Sequence, residues 1–273
     1  MRKRIACFHD LSSYGGAALM NIIPIMYSAG IEVCPIPTAL FTSHGALEGS
    51  RCMEVSGFLK EYINQYQELK LNFQGIYLGL FKTFEQMMEA EKFLEIFSKE
   101  ETLTLLDPIM GDNGKLYSFI KEENIMIMRE LMKKVQIITP NFTEACILSG
   151  KEYKENISDS EMQQLLISLS KLGAKQVVVT SVPRGEILVS YIYDGNNTTV
   201  VKSEKRPGSY PGTGDAFTAI LMEEILKGSN LLQSVTKASA FVERGIDLII
   251  SKGYNPLEGI PMAELLGTFR DGS

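Results

Sequence analysis

A segment that could handle phosphate lies at Pro211-Gly212-Thr213-Gly214-Asp215-Ala216-Phe217. Glycine permits backbone conformations that are closed to other residues, and it lets a ligand approach closely. A helical pattern begins directly after the glycines, and the free N–H groups and partial positive charge of a helix N-terminus suit an anion such as phosphate. Asp215 would lie in the first turn, beside that anion, as a candidate base. For these residues taken alone, an ordinary turn with Asp215 as a helix cap is the better explanation.

Further candidate residues follow the strands of the predicted sheet. Asp107 ends one apolar run and opens a polar segment that contains Asp112. Asn141 ends the next run, with Glu144 about one helical turn later. In open parallel sheets, ligands bind beyond the carboxyl ends of the strands. We therefore expect these side chains at one edge of the sheet, although Asp107-Pro108 could be a simple turn and Asn141 with Glu144 could be a capping box.

A third strand ends at Thr180 and Ser181, and we expect them at the same edge. Carboxylate and amide oxygens gathered there would suit Mg²⁺, which takes one or two protein oxygens together with waters and substrate phosphates. Phosphoryl transfer needs little more than a phosphate cradle, a metal and an acceptor for the hydroxyl proton. The pattern therefore favours phosphoryl transfer.

The elements that must position these residues alternate along the chain. Apolar runs predict strands at residues 4–8, 31–41, 75–80, 102–106, 135–139 and 176–180, and helical patterns lie at 17–29, 54–67, 85–98, 124–134, 143–149, 159–172, 215–227 and 231–250. Residues 186–193 and 198–202 flank a turn signal and predict a hairpin. Such alternation predicts an α/β fold of three layers, α/β/α, with a mostly parallel central sheet and helices on both faces. No linker or repeat divides the chain, so we expect one domain over residues 1–273.

Composition excludes several classes of protein. The 273 residues are 45% hydrophobic and 22% charged, with a net charge of −6, so neither a disordered chain nor a nucleic-acid-binding surface is expected. No apolar run reaches the length of a membrane span, and the basic N-terminus is followed by no signal-peptide core. We expect a cytoplasmic protein with no membrane partner. The four cysteines, Cys7, Cys34, Cys52 and Cys146, form no Cys-x-x-Cys pair and are expected to be buried free thiols.

Other nucleotide and metal motifs are missing from the sequence. It contains no Gly-x-x-x-x-Gly-Lys-Ser/Thr loop and no Gly-x-Gly-x-x-Gly fingerprint, which excludes a Walker-type NTPase and weighs against a nicotinamide site. The two histidines, His9 and His44, have no zinc-site spacing. Each could contact a substrate or could be an ordinary polar residue at a strand end.

Several segments, taken in order along the chain, resemble the pyridoxal/pyridoxamine kinases of the ribokinase-like superfamily. They are Phe8-His9-Asp10-Leu11-Ser12, Pro37-Thr38-Ala39 with Ser43-His44, the run 107–117, residues 138–145, Val179-Thr180-Ser181 and residues 212–215. The resemblance implies an ATP- and Mg²⁺-dependent kinase, often with a monovalent cation such as K⁺, and commonly a homodimer. Its product would be the 5′-phosphate of a B6 vitamer (pyridoxal, pyridoxamine or pyridoxine), with ADP released.

The resemblance also implies residue roles. Asp215 is the base at the substrate hydroxyl, the helix N-terminus keeps it ionised, and the amides of Gly212, Thr213 and Gly214 hold the transferring phosphoryl group. The other implied roles are ATP binding by Asn141, Glu144, Thr180, Ser181 and Thr213, metal binding by Asp107, Asp112 and Glu144, and substrate binding by Ser12, His44 and Asp215.

Departures from the pattern fall on the substrate side, at Gly45, Leu80 and the loop 14–18. They leave open which heterocycle is phosphorylated. The nearest alternative is a hydroxymethylpyrimidine kinase, although relatives with that activity often carry Cys where this chain has Asp215. A sugar or nucleoside kinase, or a non-catalytic vitamin sensor or carrier, are the further alternatives.

Overall fold

The chain is built on a central β-sheet, seen in a computed structural model that describes residues 2–270. The strands are β1 (Arg4–Ser12), β2 (Glu32–Phe41), β3 (Cys52–Glu54), β4 (Gly75–Leu78), β5 (Leu103–Leu106), β6 (Gly111–Asp112), β7 (Lys115–Leu116), β8 (Ile137–Ile138), β9 (Gln176–Arg184), β10 (Ile187–Tyr193) and β11 (Thr198–Glu204). Within the described residues, nine of them form one sheet in the order β11-β10-β9-β8-β5-β4-β1-β2-β3, and β6 pairs only with β7. The six strands from β9 to β2 are parallel, whereas β10 and β11 at one end of the sheet and β3 at the other end are antiparallel to their neighbours.

Helices cover both faces of the sheet. They are α1 (Leu19–Ser28), α2 (Leu59–Glu68), α3 (Phe84–Phe97), α4 (Glu122–Met132), α5 (Phe142–Ser149), α6 (Asp159–Lys171), α7 (Thr213–Lys227), α8 (Leu231–Lys252) and α9 (Met262–Arg270). The buried side chains of α2 to α6 join one apolar core, and those of α1 and α7 to α9 join a second core on the opposite face. None of the helices between residues 2 and 270 is long and apolar enough to cross a membrane.

Strand β1 has apolar side chains on both of its faces. Ala6 and Phe8 belong to the first core, whereas Ile5 and Cys7 belong to the second. Successive side chains of a strand point to opposite faces, so a continuous apolar run is what a strand covered by helices on both sides requires. The predicted three-layer α/β/α fold with a mostly parallel sheet is therefore confirmed.

Some element boundaries differ from the sequence-based prediction. Strand β1 continues to Ser12 instead of ending at residue 8, because residues beyond Phe8 still pair with β2 across a register shift. The helix predicted over residues 54–67 is divided into β3, a 3₁₀ turn at Ser56–Phe58 and α2. Strand β9 runs on to Arg184 because it pairs with β10 along its whole length.

The β6–β7 hairpin is an element that the prediction missed. Its turn residues, Asn113 and Gly114, have φ values of 50° and 74°. Both values lie in the left-handed region that a two-residue type I′ hairpin turn requires, and Asn-Gly is the dipeptide that most often supplies it. The Asn-Gly pair was the available signal for this hairpin.

All four cysteines are free thiols, as predicted. Cys7 and Cys146 are buried, but Cys34 is only partly buried and Cys52 is exposed. The prediction that all four are buried was therefore wrong for these two. Cys34 lies in β2 and Cys52 in β3, the last two strands at one end of the sheet. Side chains at this end are less covered than those of the central strands.

Candidate active site

The candidate site lies where the sheet changes direction. From β1 the chain crosses to β2 on one side, while β4 and the later parallel strands lie on the other side of β1. Such a switch point leaves a crevice at the carboxyl ends of the strands. His9 of β1 and Gly79, which directly follows β4, meet there. A Cβ atom at Gly79 would lie 2.0 Å from Cδ2 of His9, so only glycine leaves room for the imidazole.

The glycine loop before α7 is held against the loop between β1 and α1. Gly212 has φ 78°, and a Cβ atom on it would lie 2.0 Å from the carbonyl oxygen of Gly16. The buried amide Nδ2 of Asn21 donates to the carbonyl oxygens of Gly16 and Gly212, at 2.9 and 3.0 Å. The hydroxyl of Thr213 donates to the carbonyl oxygen of Tyr210 at 2.9 Å. The position of the glycine loop is therefore determined by contacts with a segment nearly 200 residues earlier.

Asp215 lies in the first turn of α7, and both of its carboxylate oxygens have contacts. Oδ2 accepts the backbone N–H of Ala18 at 2.6 Å, and Oδ1 lies 3.2 Å from Nε2 of His9. Burial favours the neutral acid, but the positive charge of His9 and the Ala18 amide outweigh it, so the pKa of Asp215 is lowered. The expected ionised carboxylate is therefore supported by two groups outside α7, in addition to the helix N-terminus.

His9 is enclosed between two carboxylates. Its Nδ1 lies 2.9 Å from Oδ1 of Asp10, and its ring packs edge-on against the ring of Tyr77. Burial favours the neutral ring, but the charges of Asp215 and Asp10 exceed that effect and raise the pKa of His9 to about 10. The side chain is only 2% exposed. A buried imidazole, whose charged form these two carboxylates favour, therefore lies directly beside the candidate base.

The N-terminus of α5 carries the predicted capping box. Oδ1 of Asn141 accepts the backbone N–H of Glu144 at 2.9 Å, and Oε2 of Glu144 accepts the backbone N–H of Asn141 at 2.8 Å. The same two side chains also hold the segment before the β6–β7 hairpin, since Glu144 accepts the N–H of Met110 and Asn141 donates to the carbonyl of Gly111. The box thus joins α5 to the segment that carries Asp112.

Asp107 and Glu144 are the two buried carboxylates of this side. Burial and the charge of Asp215 raise the pKa of Asp107 to about 7, and burial with the charge of Asp107 raises the pKa of Glu144. The carboxylate of Asp107 accepts a hydrogen bond from the hydroxyl of Thr218 at 3.3 Å. Within residues 2–270 neither carboxylate forms an ion pair, and no cluster of three His, Cys, Asp or Glu side chains is found. Two unpaired carboxylates with raised pKa values fit Mg²⁺, which needs only one or two protein oxygens.

Thr180, Ser181 and Asp112, which the sequence predicts to bind nucleotide or metal, lie closer to the surface. Thr180 is bridged to Asn141, because its backbone N–H donates to the carbonyl of Pro140 at 3.0 Å. Thr180 and Ser181 lie opposite the single residue Ser190, which makes this point of β9 a β-bulge, and Ser181 has φ 58°. Asp112 is exposed, and its carboxylate accepts hydrogen bonds from Asn113. The structure thus brings Thr180 to Asn141 and leaves Ser181 and Asp112 on the exposed rim.

The two predicted substrate-side residues have different surroundings. Ser12 is buried, and its hydroxyl donates to Oδ2 of Asp10 at 3.1 Å, so it joins the chain of contacts that leads through His9 to Asp215. Nε2 of His44 lies 2.5 Å from the carbonyl oxygen of Leu257. A Cβ atom at Gly15 would lie 2.1 Å from the His44 ring, so the unusual loop 14–18 and His44 pack as a unit.

Known proteins are similar to this chain over almost its whole length. Residues 58–258 match the family model described as phosphomethylpyrimidine kinase. The hydroxymethylpyrimidine/phosphomethylpyrimidine kinase of Aquifex aeolicus is 27% identical over 255 residues, which are 89% of this chain and 95% of the relative. A candidate pyridoxal kinase of Schizosaccharomyces pombe is 32% identical over 84% of this chain and 76% of its own.

A solved structure supports the same family as these sequence matches. A candidate phosphomethylpyrimidine kinase from Bacteroides thetaiotaomicron, in an orthorhombic crystal form with pyridoxal, superposes with a TM-score of 0.94 at 33% identity, over 98% of this chain and 96% of that one. This chain belongs to the phosphomethylpyrimidine kinase family. It is a kinase with the ribokinase-like fold, and the resemblance stated from the sequence is confirmed.

Sequence reasoning missed several residues that shape the site of this kinase. Asp10, Ala18, Tyr77 and Thr218 were not candidates, and His9 was left open between two interpretations. The available signal was the adjacent pair His9-Asp10 near the end of an otherwise apolar strand. No signal pointed to Ala18, because its role depends on a backbone conformation with φ 55° and ψ −138° that alanine rarely adopts.

Proposed function

We propose that this kinase transfers the γ-phosphoryl group of ATP to the 5′-hydroxymethyl group of a B6 vitamer, giving the 5′-phosphate and ADP. The observation that carries the proposal is the half-buried carboxylate of Asp215, which lies beside the glycine loop and 3.2 Å from Nε2 of His9. The crystal form of the Bacteroides relative with pyridoxal supports a pyridine substrate, since that protein is similar over 98% of this chain.

In the proposed reaction, Asp215 accepts the proton of the substrate hydroxyl while the hydroxyl oxygen forms a bond to the γ-phosphorus. The bond from that phosphorus to the bridging oxygen breaks, and its electron pair leaves with ADP. The backbone amides of Gly212, Thr213 and Gly214 would stabilise the charge of the transferring group. Because Oδ2 of Asp215 is held by the Ala18 amide and Oδ1 lies 3.2 Å from the His9 ring, little reorganisation of the carboxylate precedes the step.

We propose that the nucleotide binds at the same edge of the sheet, beside the residues that follow β5, β8 and β9. Asn141, Glu144, Thr180, Ser181 and Thr213 would line the nucleotide. Asp107, Asp112 and Glu144 would hold Mg²⁺, which neutralises phosphate charge when bound. A requirement for a monovalent cation such as K⁺ belongs to the same proposal, and it is tested by replacing potassium with tetramethylammonium in the assay.

A substrate screen tests the proposed reaction. The purified protein is incubated with Mg-ATP and separately with pyridoxal, pyridoxamine, pyridoxine and hydroxymethylpyrimidine, and mass spectrometry detects added phosphate. We expect phosphorylation of at least one B6 vitamer, and Asp215→Asn should reduce turnover by about 10²–10⁴-fold while ligand binding persists. Absence of phosphate on every vitamer would refute the proposal.

The second candidate function is phosphorylation of hydroxymethylpyrimidine. The match to the family model and the Aquifex relative favour it, since that relative is similar over 95% of its own length. The same screen separates the two, because kcat/KM for the pyrimidine would then exceed the value for every vitamer. A sensor or carrier would bind ligand without turnover, and Asp215→Asn would leave its function unchanged.

We also propose that the kinase is a homodimer, as the resemblance implies. Exposed apolar side chains on α1, Met20 and Tyr27, offer a surface that a second copy could cover. Size-exclusion chromatography with light scattering should give twice the mass of the 273-residue chain. A monomer mass at the concentrations of the assay would contradict this.

A further inference from the structure

His9 is a buried imidazole whose second ring nitrogen has no aligned hydrogen-bond partner. Nε2 has almost no exposed surface and lies 3.2 Å from Oδ1 of Asp215, but its N–H is not directed at that oxygen well enough to form a hydrogen bond. On the other side of the ring, Nδ1 lies 2.9 Å from Oδ1 of Asp10. A buried donor of this kind is costly to leave unsatisfied, so its retention calls for an explanation.

The groups around the His9 ring determine whether it is neutral or positively charged. A neutral ring could accept the backbone N–H of Asp10 at Nδ1, over 3.0 Å. A charged ring instead donates from Nδ1 to the Asp10 carboxylate. The groups that face the ring are Asp10 from β1, Asp215 from α7 and the neutral phenol ring of Tyr77 from β4. Cys7 on β1 and Asp107, directly after β5, are further titratable groups nearby. Two carboxylates and no competing cation among these neighbours favour the charged ring.

The ring is also fixed in position. Its edge-on contact with Tyr77 and the close approach of Gly79 prevent it from rotating away, and Ser12 donates to the second oxygen of Asp10. The chain of contacts Ser12–Asp10–His9–Asp215 therefore ends at the carboxylate that would accept the substrate proton. His9 and Asp10 both belong to β1 and reach the carboxylate from that strand, so they can influence the charge and orientation of the base.

We propose that His9 is a positioning residue for Asp215: held as an imidazolium by Asp10, it keeps the base ionised and oriented before substrate binds. The proposal rests on the proposed function of Asp215 as the base. It assigns to the His9-Asp10 pair a role in turnover and not in substrate affinity. Because Nε2 lacks an aligned partner in the ligand-free protein, the contact with Oδ1 is expected to tighten when the substrate hydroxyl approaches Asp215.

The kinetic test uses His9→Gln, which keeps an amide N–H and removes the charge. We expect kcat to fall about tenfold to hundredfold, with KM for ATP and for the acceptor unchanged within about threefold. The acidic limb of the kcat/KM profile should move to higher pH, since Asp215 would lose its cationic neighbour. Asp10→Asn should shift the same limb by less.

Two results would overturn the proposal. One is an unchanged kcat in His9→Gln. The other is a loss of kcat that comes with a raised KM and an unmoved acidic limb, which is the result expected of a merely structural residue. Circular dichroism and the thermal midpoint of each variant establish that it is folded before the kinetics are compared.

A second measurement does not depend on turnover. The chain has only two histidines, so ¹⁵N NMR of the imidazoles, with His44→Gln for assignment, follows His9 directly. We expect both ring nitrogens of His9 to be protonated at pH 8, and Asp215→Asn to lower its titration midpoint. A neutral His9 ring at pH 8 would overturn the proposal. Failure of every substrate in the screen would instead refute the proposed function and leave this charge measurement valid.

Discussion

The two sides of the candidate site balance their negative charge in different ways. On the acceptor side, the carboxylate of Asp215 is compensated by the protein itself, through His9 and the Ala18 amide, and its pKa is lowered. On the nucleotide side, Asp107 and Glu144 are buried without an ion pair in the described part of the chain, and their pKa values are raised.

This difference teaches which part of the site is complete before ligands bind. The acceptor side holds the proposed base in a network of contacts that lowers the pKa of its carboxyl, so it needs no external cation. The nucleotide side holds carboxylates that become favourable only when a cation arrives, so binding of Mg²⁺ with nucleotide would supply the missing charge. The separation is physically sensible, because a base must stay available for the proton while a metal site must be able to load and release.

The largest expected effect comes from breaking the acceptor side at Gly212→Ala. The new Cβ would lie 2.0 Å from the Gly16 carbonyl oxygen, in a residue with φ 78°, so the two loops must separate. The strained backbone alone would cost roughly 1–3 kcal/mol of unfolding free energy. Displacing the amides by about 1 Å should lower kcat by roughly 10²-fold. Steady-state kinetics and urea unfolding measure both effects.

Gly214→Ala is the matched control for stability. A Cβ atom at Gly214 would meet no atom within 4 Å, so the thermal midpoint should not fall. If both variants lose the same unfolding free energy, close contact with Gly16 is not what fixes the loop.

On the nucleotide side, Glu144→Gln tests the metal interpretation. Both carboxylate oxygens of Glu144 accept backbone N–H groups, so the amide of Gln can satisfy only one of them and the metal-free variant should lose about 1–3 kcal/mol of unfolding free energy. The Mg²⁺ concentration for half-maximal activity should rise about tenfold, because one negative ligand is lost. A magnesium titration of activity at fixed ATP measures this.

The matched control is Glu161→Gln, which alters the same kind of capping box at the exposed N-terminus of α6. It should change the unfolding free energy little, because the amide oxygen of Gln can still accept the N–H of Ser158, and it should leave the magnesium dependence unchanged. An equal magnesium shift in both variants would mean that Glu144 acts only as a cap.

The pH dependence of stability sharpens the charge assignment on the acceptor side. Folding raises the pKa of His9 from 6.5 to about 10, so the folded protein binds more protons than the unfolded chain between these values. The contribution of His9 to stability is fully present below pH 6.5 and is lost as pH rises towards 10. The difference in unfolding free energy between wild type and His9→Gln should therefore shrink over this range. Chemical unfolding at pH 6, 8 and 10 tests it, and a constant difference would contradict a charged His9.

The smallest effect is expected from Ala18→Gly. Ala18 adopts φ 55° and ψ −138°, a conformation that is strained for alanine and accessible to glycine. Relief of strain should exceed the added entropy of the unfolded chain, which gives a gain of about 0.5–1 kcal/mol. Ala17→Gly, at a neighbouring residue with negative φ, should instead lose stability. Thermal unfolding compares the two, and a loss in both would show that Ala18 is not strained.

Much of the fold could be predicted because two-sided burial leaves continuous apolar strands such as 4–8 and 176–180 in the sequence. Boundaries were wrong where pairing with a neighbouring strand, and not composition, determines the end, as in β1 and β9. The Asn141–Glu144 box could also be predicted, since a capping box is local and involves residues three apart.

The amino-acid sequence by itself determined the layers, the glycine loop and Asp215 as a carboxylate at the start of a helix, because these depend on short-range patterns of residues. Only the tertiary structure decided what surrounds that carboxylate. His9 approaches it from a strand 206 residues earlier and the Ala18 amide from a loop 197 residues earlier. The effect of a charged group on the pKa of Asp215 depends on its distance in space. A local sequence pattern does not show which distant residues lie close to that carboxylate. The glycine loop and Asp215 could be identified as candidates from the sequence. The contacts that set the charge and orientation of the Asp215 carboxylate come from tertiary packing.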